Sequence, residues 1–221
     1  MRSNSMKPSP SPDLESHLQR FVPEGALTYA CEVLRTAPLH LHIAPHRKTK
    51  RGDFRPGRTG EKHRITVNGT LNRFAFLITL LHEVAHARVW DQFGRRVKPH
   101  GPEWQAAFRT LLTQPLDAGV FPEDISKALE HHITRPSASS CSDVNLLRVL
   151  GQYDAPTGES PLESLAQGAV FTFRDRVFEK GAKRRTRFLC REVTTGRPYT
   201  FHPLTAVQPK TTDEGQGPGH S

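Results

Sequence analysis

The sequence has few cysteines, no long apolar run and no apolar leader. Cys31, Cys141 and Cys190 are far apart and form no CxxC pair, which argues against a disulfide framework and against a cysteine zinc ribbon. No run of about 18 apolar residues is present, so no membrane-spanning helix and no membrane partner are expected. The basic start lacks the apolar stretch of a secretory signal. Reduced thiols and these absences predict a cytoplasmic location.

The composition is poor in hydrophobic residues and rich in positive charge. Hydrophobic residues make up 35% of the 221 residues and 18 are prolines, so part of the chain is not expected to pack. Lysine and arginine number 31 against 22 acidic residues, a net charge of +9. This balance favours a polyanionic or acidic partner, although a basic protein without such a partner has the same composition. The 12 histidines are the unusual abundance, because histidine is the commonest metal ligand among side chains.

Patterns along the chain predict how it is divided. Apolar residues recur with helical spacing between Leu14 and Ala37, and two stretches alternate as strands do, 39–43 and 63–67. A long apolar helix is predicted from about Leu71 to Phe93, capped by Asn68 or Thr70. The predicted segments are a disordered N-terminus (1–13), a main domain (14–134), a linker with a short helix (135–167), a small basic β-rich module (168–208) and a disordered tail (209–221).

The long helix contains the motif His82-Glu83-Val84-Ala85-His86, an HExxH pattern. Residues four apart share one helix face, so the imidazoles of His82 and His86 can bind the same Zn²⁺. Glu83 can then reach a water molecule at that metal. A glutamate between two histidines in an apolar helix is costly to bury unless a metal or hydrogen bonds compensate. The motif therefore predicts one zinc ion with Glu83 as the general base.

A catalytic zinc ion needs a third protein ligand and an open position. The metzincin spacing is absent, because Val89 and Gln92 stand where that class has glycine and histidine. His100 lies fourteen residues after His86, just before the next predicted helix, and is the favoured third ligand. Glu103, on the first turn of that helix, is the alternative. The other histidines have no matching spacing and are expected to be structural or exposed.

The segments LLHEVAHARVW and KPHGPEWQAAF resemble the SprT-like family of zinc metalloproteases, which includes DNA-dependent proteases of the Spartan type. His82, Glu83, His86, His100, Gly101 and Trp104 occupy the positions of the family pattern. The stretches GDFR (52–55) and ITVN (65–68) resemble the strands that precede the motif. The resemblance covers about residues 14–134. The chain departs from many family members because its C-terminal part has only Cys190, so one zinc ion is expected and not two.

The fold expected from these patterns and from the resemblance is α+β. A small antiparallel or mixed sheet packs on the HExxH helix and on a returning helix, in a zincin-like arrangement, and the small β-rich module follows. The resemblance implies a zinc-dependent endopeptidase acting on proteins bound or crosslinked to DNA. In such an enzyme Glu83 takes a proton from the attacking water, and this general base contributes about 10²–10⁴ in rate.

Two segments are dense in basic residues. The first runs from Arg47 to Arg64, and the second lies in the C-terminal module. Taken as one strand, 183–191 places Lys183, Arg185, Arg187 and Arg191 on one face, which suits contact with phosphates. Four aromatic residues of the module can form its core or stack on unpaired bases: Phe171, Phe173, Phe178 and Tyr199. The predicted partners are thus protein substrates and DNA.

Two other functions are compatible with the same residues. The chain can be a nucleic-acid-binding protein whose zinc domain is structural or only weakly catalytic. The intact Glu83 favours the protease, because a purely structural site fills all four metal positions with ligands. A non-proteolytic metal hydrolase is less favoured, since no second metal cluster is visible in the sequence. The sequence does not determine the natural substrate or the oligomeric state.

Overall fold

The computed structural model describes residues 12–45, 50–134 and 143–210. The chain divides into two compact units, residues 1–154 and 155–221. Most of the two termini predicted to be disordered, and residues 135–142 of the predicted linker, lie outside the described residues. Over the described ranges no helix has both the length and the apolar character needed to cross a membrane.

The first unit is built mainly from helices. They are α1 (Pro12–Leu18), α2 (Leu27–Arg35), α3 (Arg73–Phe93), α4 (Pro102–Asp117), α5 (Glu123–Thr134) and α6 (Val144–Gly151), with a 3₁₀ turn at Glu24–Ala26. The helical pattern predicted over 14–37 is therefore two helices. Pro23 separates them, because proline has no N–H to donate and disfavours helical backbone in the preceding residue.

Three strands form the sheet of the first unit, β1 (Leu39–Ala44), β2 (Gly52–Arg55) and β3 (His63–Asn68), in the order β1-β3-β2. β1 runs parallel to β3 with Leu39 opposite His63, and β2 runs antiparallel to β3 with Gly52 opposite Val67. The sheet is thus mixed. A parallel pair requires a long crossover, and the connection from β1 to β3 provides it.

Helix α3 lies at the centre of the first unit. Its side chains are buried around most of its circumference, because it contacts the sheet, α2 and α4. Leu80, Leu81 and Val84 of α3 are fully buried in the same core as Ile65 of β3 and Leu111 of α4. Each such side chain contributes about 1.5–3 kcal/mol on burial. This packing holds the helix that carries the HExxH motif in the middle of the unit.

The N-terminus of α3 differs from the predicted one. The side chain of Asn72 accepts a hydrogen bond from the amide of Ala75 at 2.9 Å and caps the helix. Asn68 instead accepts from the amide and the hydroxyl of Thr70, at 3.2 and 3.0 Å, within the turn that follows β3. The helix therefore begins at Arg73, because Asn72 is the residue whose side chain reaches a free amide of the first turn.

The second unit is a six-stranded sheet in the order β4-β9-β5-β6-β7-β8. Its strands are β4 (Ser160–Pro161), β5 (Val170–Phe173), β6 (Arg176–Arg184), β7 (Arg187–Glu192), β8 (Pro198–Phe201) and β9 (Ala206–Pro209). β4 pairs with β9, and Leu162 lies in the core of this unit. The second unit therefore begins before residue 168, the predicted start of the β-rich module. Helix α6, placed in the linker from sequence, packs Leu146 and Leu150 into the first unit.

The core of the second unit is small and aromatic. Phe171 and Phe178 are fully buried and stack with ring centroids 5.6 Å apart, and Phe201 completes the cluster. The pairing of β6 with β7 shifts between Lys180 and Lys183. A Cβ on Gly181 would lie 2.2 Å from the carbonyl oxygen of Leu189, so only glycine fits at this irregularity.

Candidate metal centre

His82, Glu83 and His86 lie near the middle of α3, within the apolar core of the first unit. His82 is 4% exposed and Glu83 is 5% exposed. Helical spacing places the two imidazoles on the same face, one turn apart. Apolar side chains from the sheet and from α4 surround this part of the helix. The cost of burying these polar groups must therefore be met inside the site itself.

The loop after α3 brings His100 back to the same point. α3 ends at Gly94, and α4 begins after Gly101 with Pro102 in its first turn. His100 has a φ of +59°, a left-handed conformation that costs a non-glycine residue about 1–2 kcal/mol. The side chain of Gln105 donates to the carbonyl of His100 at 3.0 Å and fixes the turn. Strained residues of this kind concentrate at functional sites.

The three histidines converge on one point through their Nε2 atoms. These atoms are 3.2 Å apart between His82 and His86, 3.0 Å between His86 and His100, and 3.1 Å between His82 and His100. Two nitrogen ligands about 2.0–2.1 Å from a tetrahedral zinc ion lie about 3.3–3.4 Å apart. The triangle therefore fits a metal ion of this kind. Glu103, the alternative third ligand, is not part of the group.

The protonation of the cluster also suits a metal. Burial, followed by repulsion from His86 and His100, lowers the pKa of His82 to about 2. Burial and the proximity of His100 lower the pKa of His86 to about 4, and burial lowers the pKa of His100. All three rings are therefore neutral at pH 7 and each can offer a nitrogen lone pair, which is the form that binds a metal ion.

Aromatic rings hold the histidines in place. The ring of Trp104, on the first turn of α4, lies 4.5 Å from that of His82, 5.3 Å from that of His86 and 4.7 Å from that of His100. Trp104 stacks in turn on Phe108 at 4.9 Å. Loss of one such ring would leave the imidazoles free to rotate, so Trp104 is a positioning residue of the site.

Gly52 is a site residue that the sequence patterns did not identify. It begins β2, beside the buried carboxylate of Glu83. A Cβ built on Gly52 would lie 2.7 Å from Oε1 of Glu83 and 2.7 Å from Cγ2 of Thr79. Glycine at this position therefore leaves the room that the Glu83 side chain occupies. A glycine inside a strand signals close approach of another group, and this signal was present in the stretch GDFR.

The described histidines outside the cluster have other surroundings. His63 is buried: its Nδ1 accepts from the amide of Gly57 at 2.9 Å, and its Nε2 lies 2.6 Å from the carboxylate of Asp91. His132 is also buried and lies 3.0 Å from Asp143, the residue that caps α6. His40, His42 and His131 are exposed. Within the ranges that the structure describes, one group of three potential metal ligands is found.

The prediction that Lys183, Arg185, Arg187 and Arg191 share one face of a strand is wrong. Residues 183–191 form a hairpin and not one strand: β6 ends at Arg184, Arg185 lies in the turn with a φ of +46°, and β7 begins at Arg187. Lys183 is opposite Phe188 in the register, whereas Arg184 is opposite Arg187. Because opposed residues share a sheet face, Lys183 does not lie on the face that Arg187 and Arg191 share by alternation. All four predicted residues are exposed.

Comparison with known proteins points to the same family as the sequence patterns. The model of the SprT-like family matches residues 31–124. Protein SprT of Klebsiella pneumoniae is 41% identical over 59 residues, which cover 25% of this chain and 35% of that protein. Protein SprT of Pseudomonas aeruginosa is 47% identical over 47 residues, 21% of this chain and 28% of that protein. Protein SprT of Pseudomonas fluorescens is 46% identical over 39 residues, 18% and 24% respectively.

The chain thus spans about a quarter to a third of the length of these curated relatives. No solved structure matches the chain. The family match includes the three strands of the first sheet, α3, the loop that carries His100, and α4. The second unit lies outside it. Residues 31–124 of this chain therefore match the SprT-like family, and the three-histidine cluster lies within the matched region.

Proposed function

We propose that the chain is a zinc-dependent endopeptidase of the SprT-like type, with a zincin-like site, that cleaves proteins bound or crosslinked to DNA. The observation that carries this proposal is the triangle of Nε2 atoms from His82, His86 and His100, 3.0–3.2 Å apart, next to the buried carboxylate of Glu83. Three neutral ligands leave a tetrahedral ion one open position, as catalytic sites require.

Each residue of the site has a separate role in the proposed reaction. His82, His86 and His100 would hold the ion, and Trp104 keeps their rings in position. A bound zinc ion supplies a Lewis acid that lowers the pKa of water from 15.7 to about 7. Glu83 takes the proton of the attacking water on its carboxylate and passes it to the nitrogen of the departing amine.

The nucleic-acid part of the proposal is supported by charge. The net charge is +9, and the described basic residues of both dense segments are almost all exposed. This observation equally favours the second candidate, a nucleic-acid-binding protein whose zinc domain is structural or weakly catalytic. The two candidates differ in one measurable property, which is peptide-bond cleavage that depends on Glu83. The expected cytoplasmic location stays a prediction.

The test compares Glu83→Gln with the wild-type chain and with Glu103→Gln as the matched control. Zinc content is measured by mass spectrometry, and cleavage of an unfolded protein substrate and self-cleavage are followed with and without DNA. We expect Glu83→Gln to keep its zinc content and to cleave about 10²- to 10⁴-fold more slowly. Glu103→Gln should keep the zinc content and the cleavage rate of the wild type.

A chelator should stop cleavage by the wild-type chain. Cleavage by Glu83→Gln at the wild-type rate would overturn the mechanism. A salt-dependent shift of DNA mobility, with zinc bound and no cleavage by the wild-type chain, would favour the second candidate.

A further inference from the structure

The second unit contains a cleft that the proposed metal centre does not use. Its volume is about 390 Å³, and it lies at one end of the sheet, around the β5–β6 turn and the end of β8. Its lining combines aromatic rings with arginine side chains and one histidine: Phe173, Arg174, Arg176, Arg187, Tyr199 and His202. Every residue of the lining belongs to the second unit.

Two aromatic rings in the cleft are half-buried and held at their edges. Phe173 packs edge-on against Phe201 with centroids 5.4 Å apart, and Tyr199 packs edge-on against Phe178 at 5.6 Å. Phe171 and Phe178 are fully buried, so their role is in the core. The sequence left open whether the four aromatic residues form the core or stack on bases. Phe171 and Phe178 form the core, whereas Phe173 and Tyr199 line the cleft.

Two of the cationic side chains at the cleft are unpaired among the described residues. Arg176 lies over the Tyr199 ring at 4.6 Å and forms an ion pair with Glu192 at 2.6 Å, so its charge is already matched. The guanidinium of Arg174 lies over the Phe173 ring at 5.1 Å. Neither Arg174 nor Arg187 forms an ion pair within the ranges described. The cleft therefore has two positive charges available to an anion.

The position of Arg174 is conformationally unfavourable. Arg174 and Asp175 form the two-residue turn between β5 and β6, with φ values of +50° and +62°. Turns of this kind prefer Asn-Gly, because left-handed backbone costs other residues about 1–2 kcal/mol. The chain instead places an arginine there, next to an aromatic face. Strain retained at a surface turn points to a use for the side chain.

We propose that this cleft binds single-stranded nucleic acid. One unpaired base takes the place of the Arg174 guanidinium on the half-buried ring of Phe173, and the flanking phosphates contact Arg174 and Arg187. Aromatic side chains stack on the flat face of any base. In a duplex the faces of the bases are covered by neighbouring bases, so a single strand is the better partner. The choice of nucleic acid as the partner rests on the proposed function. The cleft that would bind it does not include any residue of the metal centre.

The test measures binding of a fluorescein-labelled oligothymidylate of about twelve nucleotides to the full-length chain by fluorescence anisotropy. We expect Arg174→Asn to weaken binding about three-fold or more and to reduce the dependence of log Kd on log salt by about 0.7, the value of one phosphate contact on a single strand. Asparagine accepts left-handed backbone, so the melting temperature should hold or rise. Lost binding in this variant would therefore not arise from unfolding.

Phe173→Leu tests the stacking part. Leucine keeps an apolar contact with Phe201 but has no flat face, and we expect a loss of about five-fold or more with an unchanged salt dependence. The matched control is Arg191→Gln, which removes an exposed charge from the same strand as Arg187 but outside the cleft. We expect this control to bind like the wild type.

Three outcomes would overturn the proposal. These are binding of a duplex of the same length as tightly as the single strand, an equal loss for Arg191→Gln and Arg174→Asn, and no binding at all. The first two would indicate diffuse charge instead of the cleft. The measurement is repeated in the Glu83→Gln background. Failure of the proposed peptidase would leave the anisotropy result intact, so the two proposals can fail separately.

Discussion

The buried histidine cluster of the first unit and the buried charges of the second unit have opposite kinds of surroundings. In the first unit, His82, His86 and His100 direct their Nε2 atoms at one another across 3.0–3.2 Å. In the second, each buried charge binds complementary groups of its own unit. Nζ of Lys180 donates to the carbonyl oxygens of Glu163, at 3.2 Å, and of Leu165. Glu192 accepts from Arg176 at 2.6 Å and from the hydroxyl of Thr195.

This difference separates a structural polar group from a functional one. A buried lysine that has carbonyl acceptors, or a buried glutamate that has an arginine, contributes to the fold with its hydrogen bonds complete. Three neutral imidazoles whose Nε2 atoms lie 3.0–3.2 Å apart can offer three lone pairs to one cation between them. The first arrangement stabilises the unit by itself, and the second is complete only with a ligand. Substitutions in the two units should therefore have different consequences.

The largest expected effect is on metal binding. His86→Ala leaves two of the three proposed ligands. Loss of a residue that only hydrogen-bonds to a ligand lowers metal affinity by roughly 10- to 100-fold, and we expect a larger fall in zinc affinity here. Competition with a chromogenic chelator measures this affinity. His131→Ala, which removes an exposed histidine of α5, is the control and should bind zinc like the wild type. Full zinc binding by His86→Ala would show that the ion lies elsewhere.

The next effect concerns Gly52. Gly52→Ala places a methyl group 2.7 Å from Oε1 of Glu83, so the carboxylate must move or the strand must shift. We expect a loss of about 1–3 kcal/mol in the free energy of unfolding and at least a tenfold fall in cleavage, with zinc content unchanged. Urea unfolding followed by tryptophan fluorescence reports the first unit, where both tryptophans, Trp90 and Trp104, lie.

The control for that substitution is Gly25→Ala. A Cβ on Gly25 would meet Cγ2 of Val120 at 3.7 Å, an ordinary contact, so the change should be nearly neutral. Equal cleavage by Gly52→Ala and Gly25→Ala would show that the site has room for a side chain beside Glu83.

A smaller effect is expected at Lys180. Lys180→Met keeps the length of the side chain but leaves the carbonyls of Glu163 and Leu165 without their donor, which costs about 1–3 kcal/mol. Circular dichroism follows both units, whereas tryptophan fluorescence follows the first, so the loss should appear only in the former. Lys183→Met, an exposed change on the same strand, should have little effect. A shift of both signals would mean that the units do not unfold independently.

The smallest effect is a dependence of stability on pH at Glu192. The hydrogen bonds from Arg176 and Thr195 lower the pKa of Glu192 from 4.5 to about 2. A lowered pKa in the folded state means that the contribution is present above pH 4.5 and is lost as the pH falls from 4.5 to 2. Glu192→Gln should therefore be less stable than the wild type near neutral pH, and the two should converge in acid. Glu179→Gln, which removes an exposed charge from β6, is the control for the loss of a carboxylate.

The sequence alone predicted the local features that depend on short spacing. The four-residue spacing of His82 and His86, the apolar stripe of α3 and the alternation in β1 and β3 each follow from periodicity, and each element is present. His100 was favoured over Glu103 because it lies at the end of a loop, just before a proline-initiated helix. These predictions need only the geometry of one helix or one strand, which neighbouring residues determine.

The tertiary structure decided what depends on packing between distant segments. The sheet of the first unit is mixed because β1 and β3, far apart in the chain, pair in parallel. Gly52 matters because β2 passes beside Glu83, and no short-range pattern contains that contact. The basic residues 183–191 form a hairpin because Arg185 adopts a left-handed turn, which alternation of residue types does not show. Register and close approach arise from long-range contacts, whereas the candidate metal ligands were already indicated by their spacing.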